Sequence, residues 1–521
     1  MTSTDLSDLS EPAAPWPPPG APAPPPADAP AGSQPPPVGP EAGAPERRRP
    51  FDGATARLAV VALASGVALD VGIRGGPANV VVVTGLALAV VAFVVDRHVA
   101  RAQARWLALA ALAPAAFLAV RVSPWLIASN LAVAAGLATA AVCLAQSGSL
   151  LDTTPLRLLH RRLTVLGGVL HRLVAPRPPG RPVVRPPMPR VSSATTGRAL
   201  RIGLALAITL PLVLAIGALL ASADAVFAGM FRPDIDPAPT LGHVVLTLIA
   251  ATGVVCAVVA GRGDSDRTLP PGRFGTIEVA IMLGLATVVM ALFAMAQLVA
   301  VTSAGDRLIE DAGLTPAEYA RSGFFQLCWA AALIVAFLAL VRGLAAPGVL
   351  DRPAIRALGA AVPLLALGLV VVSLRRMALY DEAFGLTMLR LWVVGAAVWM
   401  ALVLLMIAAR NLGLGAGRDW VLGGAVGAAL VLVLVADVAD PEAFVVRHNV
   451  DRAGDGVELD AAYLARLSDD AVPAYVDAVR TAPAPLRAEL RSQLPCDEDA
   501  TGVATLNLSA SRAADARDEV C

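Results

Sequence analysis

Residues 391–409 read LWVVGAAVWMALVLLMIAA, an uninterrupted run without a charged side chain between Arg390 and Arg410. A membrane-spanning helix needs about 20 mostly apolar residues to cross a hydrocarbon core of about 30 Å. This stretch has that length and composition, so it is predicted to be a transmembrane helix.

Other stretches of the chain qualify or nearly qualify by the same measure. The predicted spans are residues 58–73, 78–95, 106–120, 125–145, 199–221, 241–260, 277–301, 324–341, 357–374, 391–409 and 420–436. The spans at 58–73 and 106–120 are short, and the second contains Pro114, so a count of ten or twelve stays open. Tryptophans at predicted span ends are typical of an interfacial aromatic belt. They are Trp106, Trp125, Trp392 and Trp420.

The composition supports a membrane location and excludes several classes of protein. The chain has 521 residues, of which 56% are hydrophobic and 16% charged, whereas a soluble domain carries about 25% charged residues. The formal net charge is zero, which argues against nucleic acid as a partner. All 41 cationic residues are arginine. A Walker A loop and a Schiff-base site both need lysine, so both are excluded.

The arginines predict an orientation. With a cytoplasmic N-terminus, the inside segments hold 25 arginines and the outside loops hold 8, apart from 8 in the long C-terminal tail. This bias predicts a cytoplasmic N-terminus and an extracytoplasmic C-terminus in a bacterial plasma membrane. The first apolar run begins only at Leu58, too late for a secretory signal, so the first helix is expected to be an uncleaved span.

Composition divides the chain into five segments. Residues 1–54 form a cytoplasmic tail that is predicted to be disordered, because 16 of the 42 prolines lie in the first 50 residues and such a stretch cannot bury enough apolar surface. Residues 55–146 form a four-span unit, 147–198 a basic proline-rich cytoplasmic loop, 199–438 a seven-span unit and 439–521 an extracytoplasmic tail. The predicted fold class is therefore an all-α polytopic integral membrane protein with about eleven transmembrane helices, a disordered tail and a small helical C-terminal appendage.

Helical spacing of apolar residues predicts three short helices in the C-terminal tail. Ser468 and Asp470 are expected to cap the second of them, and Pro485 suits the first turn of the third. The apolar positions are Leu459, Tyr463, Leu464 and Leu467, then Val472, Tyr475, Val476 and Val479, then Leu486, Leu490 and Leu494. Both tails could serve protein partners.

The sequence contains no motif for binding a metal or a cofactor. The five cysteines form no CxxC pair, and the five histidines are scattered, so neither a metal nor a cofactor is expected. Cys496 and Cys521 could pair if the tail is extracytoplasmic, because that compartment permits disulfides. Asn130 and Gln297 lie deep in predicted spans and are expected to form hydrogen bonds between helices.

Polar residues gather at the predicted outer ends of the spans. Arginine forks bind phosphate or carboxylate through two parallel hydrogen bonds, so the sequence predicts a site for an anionic ligand in the outer leaflet, while clasps between arginines and carboxylates remain the alternative. The candidate ligand-binding residues are Asp224, Tyr319, Arg321, Arg375, Arg376, Tyr380, Thr387, Arg390, Arg447 and Asn449.

The same region resembles a family of bacterial multi-pass membrane proteins of unknown function that is frequent in actinobacteria and firmicutes. The resemblance covers about residues 58 to 480, and it implies a membrane fold without implying an activity or a substrate. Phe384 stands where the family leads us to expect tyrosine. The stretches that carry it are 121–130 (RVSPWLIASN), 219–227 (LLASADAVF), 315–325 (TPAEYARSGFF), 375–392 (RRMALYDEAFGLTMLRLW), 447–467 (RHNVDRAGDGVELDAAYLARL) and 470–473.

Three functions follow as hypotheses. The first is a binding or signalling protein that holds an anionic lipid, envelope precursor or envelope partner at its outer side. The alternative is a transporter or flippase of a lipid or anionic solute, although no inverted repeat is evident. A membrane enzyme on envelope precursors would need Asp224, Glu318, Asp381 or Glu382 as acid or base; without a neighbouring histidine or metal pattern, the sequence favours a role without catalysis.

Overall fold

The helices of this chain follow its apolar stretches closely. The computed structural model describes residues 53–96, 101–145, 149–150, 194–224, 226–228, 274–300, 324–415, 419–454, 458–494, 496 and 506–521. The N-terminal tail, most of the basic loop at 147–198 and the predicted span at 241–260 lie outside these residues. The division into a four-span and a seven-span unit stays a prediction.

The helices of the described residues are of two kinds, long apolar ones and shorter ones. The long ones are α1 (Gly53–Arg74), α2 (Val80–Val95), α5 (Pro124–Leu144), α6 (Ala194–Ala223), α7 (Thr276–Ala300), α8 (Phe324–Leu344), α9 (Pro353–Phe384), α10 (Met388–Leu412) and α11 (Val421–Ala439). The shorter ones are α3 (Ala102–Ala110), α4 (Leu112–Ala116), α12 (Pro441–Gly454), α13 (Ala461–Ala465), α14 (Val472–Thr481), α15 (Ala484–Ser492) and α16 (Leu508–Asp518).

Eight described segments are long and apolar enough to cross a membrane, and the shorter α2 is also apolar. They are residues 102–119, α5, residues 201–223 of α6, α7, α8, residues 353–382 of α9, α10 and α11. The chain is thus an all-α polytopic membrane protein, as predicted. The count of eleven stays a prediction. Near Pro114 the third span divides into α3, α4 and a 3₁₀ turn at Phe117–Ala119.

The main core lies where α9 packs against α7, α8 and α10, and where α6 packs against α7 and α8. Its centre consists of fully buried apolar side chains, among them Met282, Leu283, Ile334, Phe337 and Leu404. A second group of helices, α3, α5 and α11, packs beside this core. Helices α6, α9 and α11 end at the same end of the bundle at which α5 and α10 begin. We call it the polar end. The opposite end, where α8 and α10 end and α9 and α11 begin, is called the basic end.

The described residues from 441 to 521 form a helical cap on the polar end. Its core joins α12, α13, α14 and α15 to the first turn of α10 through Met388, Val445, Leu464 and Tyr475. Ala513 of α16 packs separately on α14. The appendage predicted from the sequence is therefore a packed part of the bundle end.

The predicted caps of α14 are wrong, although Pro485 lies in the first turn of α15 as expected. The residue before α14 is Ala471, which makes no side-chain capping hydrogen bond. Asp470 instead accepts hydrogen bonds from the backbone of Ser123, and Ser468 donates one to Glu442. Asp470 and Ser468 therefore form hydrogen bonds with residues distant in the sequence and do not cap α14.

Candidate functional site

Asp224 and Arg376 form a buried ion pair at the polar end, with Asp224 Oδ2 2.5 Å from the Arg376 guanidinium. Arg376 also donates to the Ala223 carbonyl. Gln297 donates to Asp224 Oδ2 over 2.8 Å, so α6, α7 and α9 meet here. The interhelical role predicted for Gln297 is confirmed. A guanidinium and a carboxylate can satisfy each other in this way, which favours a clasp, and a ligand-binding role for the pair stays a prediction.

Asn449 holds the tight turn between α9 and α10. Its Oδ1 accepts from the Leu386 amide over 2.9 Å, and its Nδ2 donates to the Leu386 carbonyl over 2.8 Å. Gly385 in this turn has φ +75°, and a Cβ there would lie 2.5 Å from Asn449 Oδ1. Only glycine adopts this conformation at such close approach without strain.

Arg390, Tyr380 and Thr387 lie around the same turn. The Arg390 guanidinium lies 4.0 Å above the centre of the Tyr380 ring and donates to the Gly385 carbonyl. The Thr387 hydroxyl caps α10 by accepting from the Arg390 amide. Here too, predicted ligand-binding residues serve the fold, in a cation–π contact and a helix cap.

Two candidate residues at the polar end remain exposed, namely Arg375 on α9 and Arg447 on α12. Tyr319 and Arg321, together with Glu318, lie outside the described residues. The structure thus brings Arg390, Tyr380, Thr387 and Asn449 together at one turn. An outer-leaflet ligand site stays a prediction.

A buried network around Arg121 is the main feature that sequence reasoning missed. The Arg121 guanidinium donates to the Asp437 carbonyl over 2.8 and 2.6 Å and pairs with Asp440. Asp440 has φ +54° and connects α11 to α12. Asn130 in α5 donates to Asp437 Oδ1 over 2.8 Å, which confirms the interhelical role predicted for Asn130. The sequence contained two indications of this network. Arg121 lies in a short loop, and Asp437 and Asp440 follow directly after an apolar span.

The network continues into the cap through two more carboxylates. Glu442 accepts from the Ser123 hydroxyl over 2.6 Å and from the Ser468 amide and hydroxyl. Burial raises the pKa of Glu442, and hydrogen bonds from Ser123 and Ser468 lower it in part. Burial likewise raises the pKa of Asp470, against hydrogen bonds from Ser509 and Ser123.

The raised pKa of Glu442 predicts a specific pH dependence. A carboxyl with a higher pKa in the folded chain binds its proton more readily when folded, so stability increases as pH falls through the raised pKa, until the ordinary value of about 4.3 is reached. Glu442→Gln mimics the protonated form, so wild type should gain stability relative to this variant on acidification. Thermal denaturation in detergent across a pH series measures the difference. Exposed Glu458 gives the control, Glu458→Gln; an equal slope for both variants would contradict the assignment.

Residues 506–509 attach the cap to the N-terminal helices. The Asn507 amide donates to the carbonyls of Leu118 and Arg121, over 3.1 and 3.2 Å. The Ser509 backbone amide donates to the Val120 carbonyl. Cys496 and Cys521 are joined in a disulfide on either side of this segment.

One of the acids considered for catalysis, Asp381, has a histidine beside it, contrary to the expectation from the sequence. Of the acids considered for catalysis, Asp224 is held by Arg376, and Asp381 lies 3.3 Å from His448 Nε2. Glu382 contributes its backbone carbonyl to Arg452. Among the described residues there is no group of three His, Cys, Asp or Glu side chains that could hold a metal.

An apolar cleft of about 590 Å³ lies between α5 and α11 on one side and α8, α9 and α10 on the other. This volume falls within the range of about 300–1,000 Å³ found for ligand pockets. The charged residues that line it are Arg342 and Asp419, both at the basic end. Among its apolar lining residues are Val133, Gly136, Ala140, Val335, Leu338, Ala339, Val403, Ile407, Val426 and Ala429.

The cleft adjoins a polar pocket of about 190 Å³, with which it shares Arg342, Leu350, Asn411 and Asp419. Three arginines and two aspartates line this pocket, so its formal charge is positive. Arg342 donates to Asp419, and Arg410 lies 3.9 Å from the same carboxylate. Arg356 donates to the carbonyls of Asn411 and Leu412, over 3.0 and 2.6 Å. The apolar cleft therefore leads to a pocket lined by the guanidiniums of Arg342, Arg356 and Arg410.

These observations define an all-α polytopic membrane protein with a lateral apolar cleft and a helical cap. The chain belongs to the family of the domain of unknown function DUF4153, which matches residues 106–478. The resemblance drawn from the sequence is thus confirmed. The match includes Arg121, Asp437 and Asp470 of the buried network, whereas Asn507 and the disulfide lie beyond it. No curated protein and no solved structure matches the chain.

Proposed function

We propose that the protein binds an anionic lipid, with an acyl chain in the apolar cleft and the headgroup against the arginines of the basic end. The observation that supports the proposal is the continuity of the 590 Å³ cleft with the pocket lined by Arg342, Arg356 and Arg410. A single ligand with one long apolar part and one anionic part matches both compartments. Arginine is suited to phosphate because its fork offers parallel donors.

The placement also fits membrane electrostatics. The arginine bias assigns the basic end to the cytoplasmic side of a cell membrane, where anionic lipids are enriched and a basic residue near the surface contributes about 1 kcal/mol of attraction. This proposal keeps the class of function expected from the sequence, a binding membrane protein with an anionic ligand, and moves the site to the other end of the bundle.

Gly136 allows the cleft to be filled without disturbing the protein. A Cβ at Gly136 meets no atom within 4 Å, and this residue lines the cleft. We expect Gly136→Leu to weaken lipid binding by about tenfold or more, a loss of about 1.4 kcal/mol, and so to lower the fraction of chain that carries a lipid. Native mass spectrometry of protein extracted with its lipids measures this fraction.

Gly368 provides the matched control. It lies in α9, its Cβ position is also open, and it does not line the cleft. Gly368→Leu makes the same change in helix propensity and should retain the lipid. Equal lipid occupancy in both variants would overturn the assignment to the cleft.

The headgroup is tested with arginine variants in nanodiscs of phosphatidylglycerol and of phosphatidylcholine. Arg356→Gln should remove the preference for phosphatidylglycerol, whereas Arg375→Gln and Arg447→Gln at the polar end should keep it. The opposite pattern would place the anionic ligand at the polar end, as expected from the sequence. Excess inorganic phosphate should not displace the lipid, because the acyl chain contributes most of the buried surface.

If the protein is a transporter, the lipid bound in the cleft must also cross the membrane. A flippase must move its lipid between leaflets, so reconstituted wild-type protein would redistribute a labelled phosphatidylglycerol across liposomes. Binding without redistribution favours the binding role.

A further inference from the structure

Asn130 and Asp437 face each other across the contact between α5 and α11. Both side chains are fully buried, with 0% of their surface exposed. The Asn130 amide nitrogen donates to Asp437 Oδ1 over 2.8 Å. An amide and a carboxyl group are thus held together by one hydrogen bond.

The other oxygen of each group has no hydrogen-bond donor among the described residues. These atoms are Asn130 Oδ1 and Asp437 Oδ2, and both are inaccessible to solvent. Each can accept a hydrogen bond, and as long as the carboxyl is ionised neither can donate one. A buried acceptor without a donor is costly, so this pair lacks one proton.

The surrounding charges also favour an added proton. Arg121, from the loop before α5, donates two hydrogen bonds to the Asp437 backbone carbonyl and one to the Asp440 carboxylate, and none of these goes to the Asp437 side chain. The other titratable groups that meet here are carboxyls: Asp440 at the start of α12, and Glu442 and Asp470 in the cap. Arg121 forms ion-pair contacts with Asp440 and Asp470, so the carboxyls of this network outnumber its guanidinium, and an excess of buried negative charge is unfavourable.

We propose that Asp437 is a proton-binding site, in which a proton on Oδ2 is donated to Asn130 Oδ1 and closes a two-bonded pair of a carboxylic acid and an amide. The proton comes from water, and its arrival converts the charged carboxylate into a neutral acid. Both orphaned oxygens then take part in one hydrogen bond.

The site would link proton binding to the attachment of the cap. Arg121 contacts the Asp437 carbonyl and Asp440, and Asp470 lies 3.9 Å from the same guanidinium. Neutralising Asp437 leaves Arg121 to balance the carboxyls of the cap. Proton occupancy and cap attachment are thus coupled through one arginine.

Infrared difference spectroscopy of the full chain in nanodiscs, with the pH as the perturbation, tests the proposal. We expect a carbonyl stretching band of a protonated carboxylic acid that is lost in Asp437→Asn and kept in Asp440→Asn. Because Glu442 and Asp470 also have raised pKa values and give acid bands of their own, the proposal is overturned if wild type and Asp437→Asn show the same acid bands. A wild-type spectrum in which Asp437 responds to sodium without forming the acid band also overturns it, since the ligand would then be a metal cation.

Asn130→Leu keeps the test decisive if Asp437→Asn does not fold. Leucine removes the acceptor for the proton but retains the carboxyl. The acid band should then shift to higher frequency, because the hydrogen bond to Asn130 Oδ1 is gone. A band at the wild-type frequency would show that the proton resides elsewhere.

Discussion

Arg121→Ala is expected to destabilise the folded chain by about 3–5 kcal/mol, the usual effect of removing one partner of a buried ion pair. The guanidinium is only 7% exposed. Its loss leaves the Asp437 carbonyl without its donors and Asp440 without its counterion. The cap contributes Asp470 to this network, so detachment of the cap should accompany the loss of stability.

Thermal denaturation in detergent measures the stability, and limited proteolysis measures the attachment of the cap. Arg447→Ala is the matched control, because this arginine also lies at the polar end but is exposed. Its effect should stay within about 0.5 kcal/mol. Similar losses for Arg121→Ala and Arg447→Ala would mean that the buried network contributes little.

Arg376→Ala is expected to have a comparable effect, again about 3–5 kcal/mol. It leaves Asp224 with 1% exposure and without its guanidinium. Arg375→Ala, one residue earlier on α9, removes the same side chain from an exposed position and should change stability by less than about 0.5 kcal/mol. Unfolding in denaturant should separate the two neighbours.

A double variant distinguishes a structural clasp from a ligand site. Replacing both partners, as in Asp224→Leu with Arg376→Met, should restore most of the stability, since an apolar pair often substitutes for a buried ion pair. Lipid occupancy should remain as in wild type, because neither residue lines the cleft. If stability recovers but the bound lipid is lost, the Asp224–Arg376 pair belongs to the ligand-binding site.

The spans could be predicted from the sequence because membrane helices are determined by local composition. The hydrogen-bonding roles of Asn130 and Gln297 followed from the same logic, since a polar side chain inside a bundle needs a partner. What local reasoning could not supply was the identity of each partner. Arg376 meets Asp224 at a separation of 152 residues, and Arg121 meets Asp437 at 316.

The candidate site, too, could be predicted only in part from the sequence. The sequence shows that arginines gather at the span ends, but it does not distinguish a guanidinium that pairs with a carboxylate from one that binds a ligand. Arg375 and Arg376 are adjacent and identical in type, yet only one is buried. The cleft could not be foreseen, because it is a gap between helices whose spacing depends on packing along their entire length.

The contact between Asn507 and the Leu118 carbonyl has a consequence for biogenesis, because 389 residues separate the two. At a synthesis rate of about 5–20 residues per second, the Leu118 carbonyl waits roughly 20–80 s for its amide donor. The early spans therefore enter the membrane with backbone groups at the polar end that only water can satisfy. A chain that stops before residue 507 lacks this donor, so the junction between α4 and α5 depends on a residue made much later.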